Sequence, residues 1–231
     1  MKAIILSGGQ GLRLRPLTED RPKPLVEVGG KPISEYQIEW LAKDSIIDGV
    51  VFACGYKWEK LKEHFGETFK GIPIDYSVEE TPLGTGGAIR NAFARLGSED
   101  AFVVANGDIL TDLPLVRMVE EHKRAGTIAV SMLVVPYRSR FGVVHIDKLR
   151  MVRGFDEKPA FPDVWINGGV YVINPKKIMK HLPQAGDIER ETFPRLVDRG
   201  EILSYPYYGQ WQFLDSIKDI KELEEAMRPR P

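Results

Sequence analysis

A glycine-rich turn followed by several cations lies near the start of the chain, and these residue types could bind an anion. Residues 7–25 read SGGQGLRLRPLTEDRPKPL and directly follow the apolar run KAIIL. The glycines are Gly8, Gly9 and Gly11, and the cations are Arg13, Arg15, Arg21 and Lys23. Glycines let backbone N–H groups approach an anion closely, and the prolines reduce the entropy lost when the cations are fixed over a ligand. We expect a phosphate-binding segment, with a solvated basic loop as the alternative.

Two common phosphate-binding patterns do not fit this turn. The dinucleotide-binding pattern G-x-G-x-x-G matches Gly9 and Gly11 but places Leu14 where the third glycine should stand. The Walker A pattern requires Gly-Lys-Ser/Thr after four spacer residues, and this segment contains no such triplet. These residues therefore do not indicate a nicotinamide dehydrogenase or a P-loop enzyme.

Composition excludes several other classes of protein. The formal net charge of −1 gives no positive excess for a nucleic acid, so phosphate binding must be local. Cys54 is the only cysteine, which leaves no disulfide framework and agrees with a reducing cytoplasm. No apolar run approaches the length of a membrane span, and the N-terminal run is too short for a signal peptide. We expect a cytoplasmic protein without a nucleic-acid or membrane partner.

The elements that must position these residues alternate between strand and helix patterns. Apolar runs typical of strands occur at residues 2–7, 49–54, 72–78, 101–105, 128–135, 164–173 and 202–207. Helical periodicity occurs at residues 33–41, 89–96 and 115–119. This alternation predicts an α/β fold, with a doubly wound, mainly parallel, Rossmann-like sheet and helices on both faces. Residues 141–159 read as two strands around a turn, which predicts inserted antiparallel strands.

The segments that follow strands are the expected ligand contacts, because open α/β sheets bind ligands outside the carboxyl ends of their strands. They are GGQG after the first strand, EETPLGTGG after the third and NGD after the fourth, together with NGG inside a later strand pattern.

Several of these stretches resemble one enzyme family. Residues 8–25 are similar to the signature of the sugar-phosphate nucleotidyltransferases (NDP-sugar pyrophosphorylases), G-G-x-G-T-R-L-x-P-L-T followed by P-K-P. The similarity continues in order through PLGTGGAI at 82–89, NGD at 106–108, FGVV at 141–144, FDEKP at 155–159, INGGVYVINP at 166–175, DIERETFP at 187–194 and WQFLD at 211–215. The resemblance implies that a nucleoside triphosphate and a sugar 1-phosphate are joined with Mg²⁺, giving NDP-sugar and pyrophosphate.

The residues agree with this chemistry. A sugar phosphate is already ionised near neutral pH, so catalysis requires alignment and neutralisation of negative charge rather than a general base. The four histidines, His64, His122, His145 and His181, are scattered without the spacing of metal ligands or catalysts.

The resemblance assigns the nucleotide side of the site to the first half of the chain. Arg13 and Lys23 are implied as catalytic residues, with Arg13 on the departing phosphates and Lys23 between the two reacting phosphates. The implied nucleotide-binding residues are Leu6, Gly8, Gly9, Gly11, Glu80, Gly84 and Thr85. Thr85 stands near the predicted start of a helix, so it is also a candidate for the helix cap.

Two aspartates are the candidate metal ligands. Asp108 ends an apolar strand pattern, where a carboxylate is costly unless it is paired or bound to a metal, and Asp215 follows the apolar pair Phe213–Leu214. Together with phosphate oxygens and water they make a plausible Mg²⁺ site. Asp112 is interpreted as an N-terminal residue of the following helix.

The implied sugar-phosphate-binding residues lie mainly in the second half. They are Asn106, Gly142, Glu157, Lys158 and Asn167. The resemblance places Glu157 on sugar hydroxyls and Lys158 on the sugar phosphate, with Gly142 leaving room beside the sugar ring. We interpret residues 1–231 as a single domain, in which 1–108 mainly bind nucleotide and 109–231 mainly bind the sugar and supply a closing helix. A left-handed β-helix tail is not expected.

Substrate identity stays open at this point. Leu12 replaces the usual threonine of the signature, and DSIKD at 215–219 is similar to cytidylyltransferase-type members. PLGTGGAI and INGGVYVINP instead resemble mannose and heptose 1-phosphate guanylyltransferases. We favour GTP with a mannose- or heptose-type 1-phosphate. The alternatives are UTP, CTP or dTTP with a glucose-type 1-phosphate, or an inactive nucleotide-sugar sensor, and homo-oligomerisation is left open.

Overall fold

The computed structural model describes residues 1–228, which form fourteen strands and seven α-helices. The strands are β1 (Lys2–Ser7), β2 (Glu27–Val28), β3 (Lys31–Pro32), β4 (Gly49–Cys54), β5 (Thr68–Phe69), β6 (Ile72–Val78), β7 (Phe102–Asn106), β8 (Ile109–Thr111), β9 (Val130–Arg138), β10 (Val143–Ile146), β11 (Val152–Asp156), β12 (Ala160–Ile173), β13 (Ile202–Pro206) and β14 (Trp211–Phe213). The helices are α1 (Ile33–Ala42), α2 (Trp58–Phe65), α3 (Gly84–Ala92), α4 (Leu115–Ala125), α5 (Pro175–Ile178), α6 (Phe193–Asp198) and α7 (Ile217–Met227).

One eight-stranded sheet carries the fold, in the order β13-β9-β12-β7-β1-β4-β6-β5. The pairs β7–β1, β1–β4, β4–β6 and β9–β13 are parallel. Strand β12 runs antiparallel to both β7 and β9, and β5 runs antiparallel to β6. The mainly parallel sheet with inserted antiparallel strands that the sequence predicts is therefore confirmed.

Helices cover both faces of this sheet, because successive residues of a strand point to opposite sides. Ala3 and Ile5 of β1 belong to a buried cluster that includes residues of α1, α2 and α4. Ile4, between them, belongs to a second cluster with residues of α3, α5 and α6. The doubly wound arrangement is thus encoded in the continuous apolar run of the first strand.

A third, smaller cluster joins the two ends of the chain. Leu14 from the N-terminal loop and Leu214 after β14 are both fully buried in it, together with Ile220 of α7. Full burial of a leucine side chain stabilises the folded state by about 1.5–3 kcal/mol relative to exposure. This packing fixes the positions of Arg13 and Asp215, which are the sequence neighbours of these two leucines.

Strands β10 and β11 form a separate antiparallel ribbon, as the sequence predicts for residues 141–159. Val144 pairs with Phe155, and both side chains are largely exposed. On the other face, the imidazole of His145 lies 2.8 Å from the Asp156 carboxylate. Within residues 1–228, no helix combines the length and apolar character needed to cross a bilayer.

The start of α4 differs from the expectation for Asp112. The helix begins at Leu115 and is preceded by Pro114, without a side-chain cap. The Asp112 carboxylate instead accepts a hydrogen bond from Gln210 N at 2.8 Å and another from the Tyr207 hydroxyl. Asp112 therefore holds a distant loop, and its interpretation as a residue of the helix start is wrong.

His122 of α4 makes the stability pH-dependent. It is buried, with Nδ1 2.9 Å from the Ser131 hydroxyl oxygen. Desolvation, assisted by the charges of Lys177 and Lys123, lowers the pKa of His122 to about 4. Since the unfolded imidazole titrates near pH 6.5, the free energy of unfolding is at its full value above that pH and decreases as the pH falls toward 4.

We expect His122→Gln to lose this contribution, which amounts to roughly 1–2 kcal/mol between pH 7.5 and pH 5. The measurement is urea unfolding of the wild type and the variant at both pH values. Identical pH dependence of His122→Gln and wild type would contradict the assignment.

Gly107 is required where β7 approaches β1. Its N–H donates to the Leu6 carbonyl oxygen at 2.9 Å, and a Cβ at position 107 would lie 2.4 Å from that same oxygen.

We expect Gly107→Ala to decrease the free energy of unfolding by roughly 3 kcal/mol, because the backbone must move apart. Gly9→Ala is the matched control, since a Cβ at position 9 meets nothing within 4 Å. Urea unfolding should show almost no change for Gly9→Ala, and equal stability of both variants would refute the packing argument.

Candidate active site

The glycine turn after β1 has a fixed backbone conformation. Gly11 has a φ of 62°, in the left-handed region that favours glycine, and it precedes a short 3-10 turn at Leu12–Leu14. The Gly11 carbonyl oxygen accepts hydrogen bonds from Leu14 N and from the buried Thr18 hydroxyl, both at 2.9 Å. The turn is therefore held in place by its own following residues, Thr18 among them, which sequence reasoning did not single out.

A cavity of about 340 Å³ opens beside this turn. It brings together seven of the predicted site residues: Leu6, Gly9, Gly11, Arg13, Lys23, Asp108 and Asp215. They come from four separate parts of the chain, and all of these parts lie at the carboxyl ends of strands or in loops that pack there. The predicted phosphate, catalytic and metal residues thus share one cavity.

Lys23 lies at the centre of this group. Its ammonium nitrogen is 2.9 Å from Asp108 Oδ2 and 3.5 Å from Asp215 Oδ1. The side chains are mostly buried, with 14% of Lys23, 22% of Asp108 and 13% of Asp215 exposed. Charges in such a setting require close compensation, and the ammonium group lies within 4 Å of both carboxylates.

The second carboxylate oxygen of Asp108 has no such compensation. Asp108 Oδ1 is buried and has no hydrogen-bond partner among the described residues. Leaving a charged oxygen in this state is costly, which indicates a site that is completed by another cation or donor. Residues 1–228 contain no group of three or more His, Cys, Asp or Glu side chains placed to hold a metal.

Arg13 connects this cavity with a larger one. Its guanidinium forms an ion pair with Asp215, while 77% of the side chain remains exposed. Arg13 and Asp215 line both the first cavity and a neighbouring cleft of about 1150 Å³. A molecule in each cavity would therefore have this ion pair between them.

Lys158 lines the larger cleft, whereas Glu157 is exposed to solvent and does not line it. Strand β11 ends at Asp156, so these two residues lie in the bend beyond it rather than in the strand. Lys158 has a φ of 47°, and its ammonium lies 3.4 Å from the Glu222 carboxylate of α7. The predicted cation is present in the cleft, whereas no hydrogen bond or ion pair in the described structure involves Glu157.

The two candidate asparagines differ in how they are bound. The Asn167 side chain accepts from Gly169 N at 2.9 Å and donates to the Tyr171 hydroxyl at 2.7 Å, so it shapes an irregular part of β12. Asn106 ends β7, and its Oδ1 is buried without a hydrogen-bond partner among residues 1–228. Of the two, Asn106 has the unused hydrogen-bonding capacity.

Gly142 allows the Phe155 ring of β11 to pack closely against the backbone before β10. A Cβ at this position would lie 2.3 Å from the Phe155 ring. The space beside Gly142 is therefore filled by Phe155, and the room for a sugar ring that the sequence analysis assigned to it is occupied. A contact of the Gly142 backbone with substrate stays a prediction.

The segment at the start of α3 is built around glycine contacts. Gly84 has a φ of 70°, and the Gly186 carbonyl lies so close that a Cβ at position 84 would be 2.6 Å from its oxygen. The same oxygen accepts from Gly86 N and Gly87 N. Gly84 is thus needed for the packing of residues 186–188 against the helix start.

Thr85 does not cap α3. Its hydroxyl donates to Glu189 Oε2 at 2.6 Å and accepts from Ile188 N at 2.9 Å. The residue before the helix is Leu83, and no side-chain cap is formed. The predicted helix cap is therefore wrong, because the Thr85 side chain binds a segment more than a hundred positions away in the sequence.

Glu79, which sequence reasoning missed, lies beside the glycine turn. A Cβ on Gly8 would be 2.8 Å from Glu79 Oε1, and Glu79 Oε2 accepts from Leu83 N at 3.0 Å. Burial raises the pKa of Glu79, and the Leu83 hydrogen bond partly opposes this. Glu80 is exposed. The apolar alternation of β6, with Ile74, Tyr76 and Val78 on one face, would continue to Glu80, so local periodicity does not identify Glu79 as the residue beside the turn.

Comparisons with known proteins identify the family of this chain. The family model for nucleotidyl transferases matches residues 2–227. The mannose-1-phosphate guanyltransferase of Candida albicans is 39% identical over 95% of this chain and 62% of its own length. The catalytic subunit beta of Drosophila melanogaster mannose-1-phosphate guanylyltransferase is 36% identical over 95% of this chain and 60% of its own. The chain therefore spans about three fifths of the length of these curated relatives.

A solved structure shares the fold over its full length. HddC from Yersinia pseudotuberculosis, crystallised with GMP-PN, superimposes with a TM-score of 0.77 and 25% identity, covering 98% of this chain and 99% of that one. The agreement confirms the single Rossmann-like sheet with covering helices. The sequence motifs, the cavity they form and the family match over nearly all residues have one consistent explanation, which is that the chain belongs to the nucleotidyl transferase family.

Proposed function

We propose that the chain transfers a guanylyl group from GTP to a mannose- or heptose-type sugar 1-phosphate, giving GDP-sugar and pyrophosphate. The observation that carries the proposal is the convergence of Arg13, Lys23, Asp108 and Asp215 in one cavity, of which Arg13 and Asp215 also line the neighbouring cleft. The names of the relatives and the GMP-PN bound to HddC support the choice of a guanine nucleotide.

Each of the two substrates would occupy one of the two cavities. The triphosphate would lie along the glycine turn in the smaller cavity, and the sugar 1-phosphate in the larger cleft near Lys158. An oxygen of the sugar phosphate attacks the α-phosphorus, the bond from that phosphorus to the bridging β-oxygen breaks, and pyrophosphate leaves. The attacking oxygen is already ionised, so the reaction needs alignment and charge neutralisation rather than proton removal.

The cations of the site suit that requirement. Lys23, nearly enclosed between two carboxylates, would bridge the reacting phosphates as a compact positive charge. Arg13, which is largely exposed between the cavities, would bind the departing pyrophosphate with its planar donors. Both groups stabilise charge that accumulates in the transition state.

The two aspartates fit a magnesium ion. Their carboxylate oxygens converge on a single ammonium group, and the orphaned Oδ1 of Asp108 offers a further ligand. Hard cations of this kind bind through one or two carboxylates together with phosphate oxygens and water. When bound, Mg²⁺ supplies neutralisation of the triphosphate charge.

Glu79 is our candidate for recognition of the base. Guanine presents an N1–H and an exocyclic amino group side by side on its Watson–Crick edge, and an ionised carboxylate accepts hydrogen bonds from both. The position of Glu79 beside Gly8 supports this role, and we therefore move the base contact from Glu80 to Glu79. Adenine and the pyrimidines lack this pair of donors.

The remaining assignments are proposals from the sequence. They comprise the division into residues 1–108 for the nucleotide and 109–231 for the sugar, the contacts of Glu157 and Asn167 with the sugar, and a cytoplasmic location.

The experiment that tests the function is a pyrophosphate-release assay. GTP, UTP, CTP, ATP and dTTP are each combined with mannose, heptose and glucose 1-phosphates, with and without Mg²⁺. We expect one strong combination, with GTP and a mannose- or heptose-type phosphate, that disappears without metal. No release from folded protein would overturn the proposal, and binding of nucleotide-sugar without turnover would favour a sensor.

Removing one metal ligand should strongly impair the reaction. We expect Asp108→Asn to lower kcat at limiting Mg²⁺ by on the order of 100-fold or more, comparable to removing one preorganised charge-stabilising group. Titration with Mn²⁺ should show weakened metal binding in parallel. Asp112→Asn is the neighbouring control, because an asparagine retains the acceptor oxygen for Gln210 and Tyr207. Near wild-type turnover of Asp108→Asn would show that the metal assignment is incorrect.

Base selectivity should depend on Glu79. We expect Glu79→Gln to lower kcat/KM for GTP by about 10- to 100-fold, since hydrogen bonds to a charged group are lost, while activity with other triphosphates changes little. Glu80→Gln, at the exposed neighbouring position, is the matched control and should leave GTP kinetics unchanged. A larger effect from Glu80→Gln than from Glu79→Gln would return the base contact to Glu80.

A further inference from the structure

Arg140 is an additional cation at the edge of the proposed reaction site. Its guanidinium carbon lies 5.4 Å from the centroid of the Phe213 ring, and the Lys23 ammonium lies 5.6 Å from the same centroid. Phe213 precedes the site carboxylate Asp215 by two residues. A guanidinium at this distance interacts favourably with an aromatic ring, so Arg140 is held beside the group that contains Lys23 and Asp215.

The backbone around Arg140 is also fixed. Ser139 N donates to the Pro159 carbonyl oxygen at 2.9 Å, and Arg140 and Lys158 are the next residues of the two antiparallel segments beyond this hydrogen bond. The buried Ser139 hydroxyl donates to the Phe141 carbonyl at 2.7 Å and accepts from Phe141 N at 3.1 Å. These contacts present Arg140 on a defined turn in the wall of the larger cleft.

The charge balance of the cleft leaves Arg140 available. Three other cations that line the cleft are paired: Arg13 with Asp215, and Lys158 and Lys218 both with Glu222. Over residues 1–228, Arg140 has no carboxylate within 4.0 Å. Arg138 is unpaired as well, but it ends strand β9 and contacts no aromatic ring in the described structure. Arg140 alone combines an unpaired charge with a fixed position beside the reaction site.

We infer that Arg140 binds the phosphate of the sugar 1-phosphate together with Lys158. The inference rests on the proposed function and names a further residue for the same site. A planar guanidinium can donate two parallel hydrogen bonds to a phosphate while one face stays stacked on Phe213, whereas Lys158 contributes a point charge. Arg140 is therefore a binding and specificity residue that selects phosphorylated sugars.

The test compares Arg140→Met, Arg140→Lys and the control Arg138→Met in both directions of the reaction. In the forward direction we expect Arg140→Met to raise the KM for sugar 1-phosphate at least tenfold, with the KM for GTP within twofold of wild type. In the reverse direction the KM for GDP-sugar should rise and that for pyrophosphate should not. Arg140→Lys should be intermediate, because it keeps the charge but loses the planar donors, and Arg138→Met should match wild type.

A binding measurement separates this inference from the proposed function. If the wild type releases no pyrophosphate with any substrate pair, the proposed function fails, but calorimetry still compares sugar 1-phosphate with the unphosphorylated sugar. Wild type should bind the phosphorylated sugar more tightly, and Arg140→Met should lose that preference. The inference is overturned if Arg140→Met, shown to be folded by its Tm, keeps the preference, if it raises the KM for both substrates equally, or if Arg138→Met has the same effect.

Discussion

The site depends on the attraction between one ammonium group and two carboxylates in a mostly buried setting. Lys23 lies between Asp108 and Asp215, and none of these charges would be stable there without the others. The three residues come from the N-terminal loop, the end of β7 and the segment after β14. Their compensation is possible only if these three segments meet at one point, so the electrostatics of the site and the topology of the fold constrain each other.

Apolar packing brings those segments together. Leu14 and Leu214 are fully buried in the same small cluster. Arg13 directly precedes Leu14, and Asp215 directly follows Leu214. At β7, the approach of Gly107 to the Leu6 carbonyl places Asp108 beside the end of β1. Burial thus supplies the stability, while the charged neighbours of the buried residues are left at the cavity surface to act on a ligand.

This arrangement places an ion pair at the boundary between two cavities in a chain of almost neutral net charge, because Arg13 and Asp215 line both. Lys158 and Arg140 add positive charge to the wall of the larger cavity. Catalysis of phosphoryl transfer relies mainly on positioning and charge stabilisation, so these fixed charges are the feature that links the fold to the proposed reaction.

The sequence by itself determined the alternation of strands and helices, the presence of helices on both faces of the sheet and the candidate set Arg13, Lys23, Asp108 and Asp215, the last through family resemblance. Local periodicity and ordered motifs contain that information. Only the tertiary structure showed that Glu79, rather than Glu80, lies beside the glycine turn, and that the Thr85 hydroxyl binds Glu189 instead of capping a helix. It also showed that the Phe155 ring occupies the space beside Gly142. These outcomes depend on contacts between segments far apart in the chain, whose relative placement is set by packing and strand register and has no local signature.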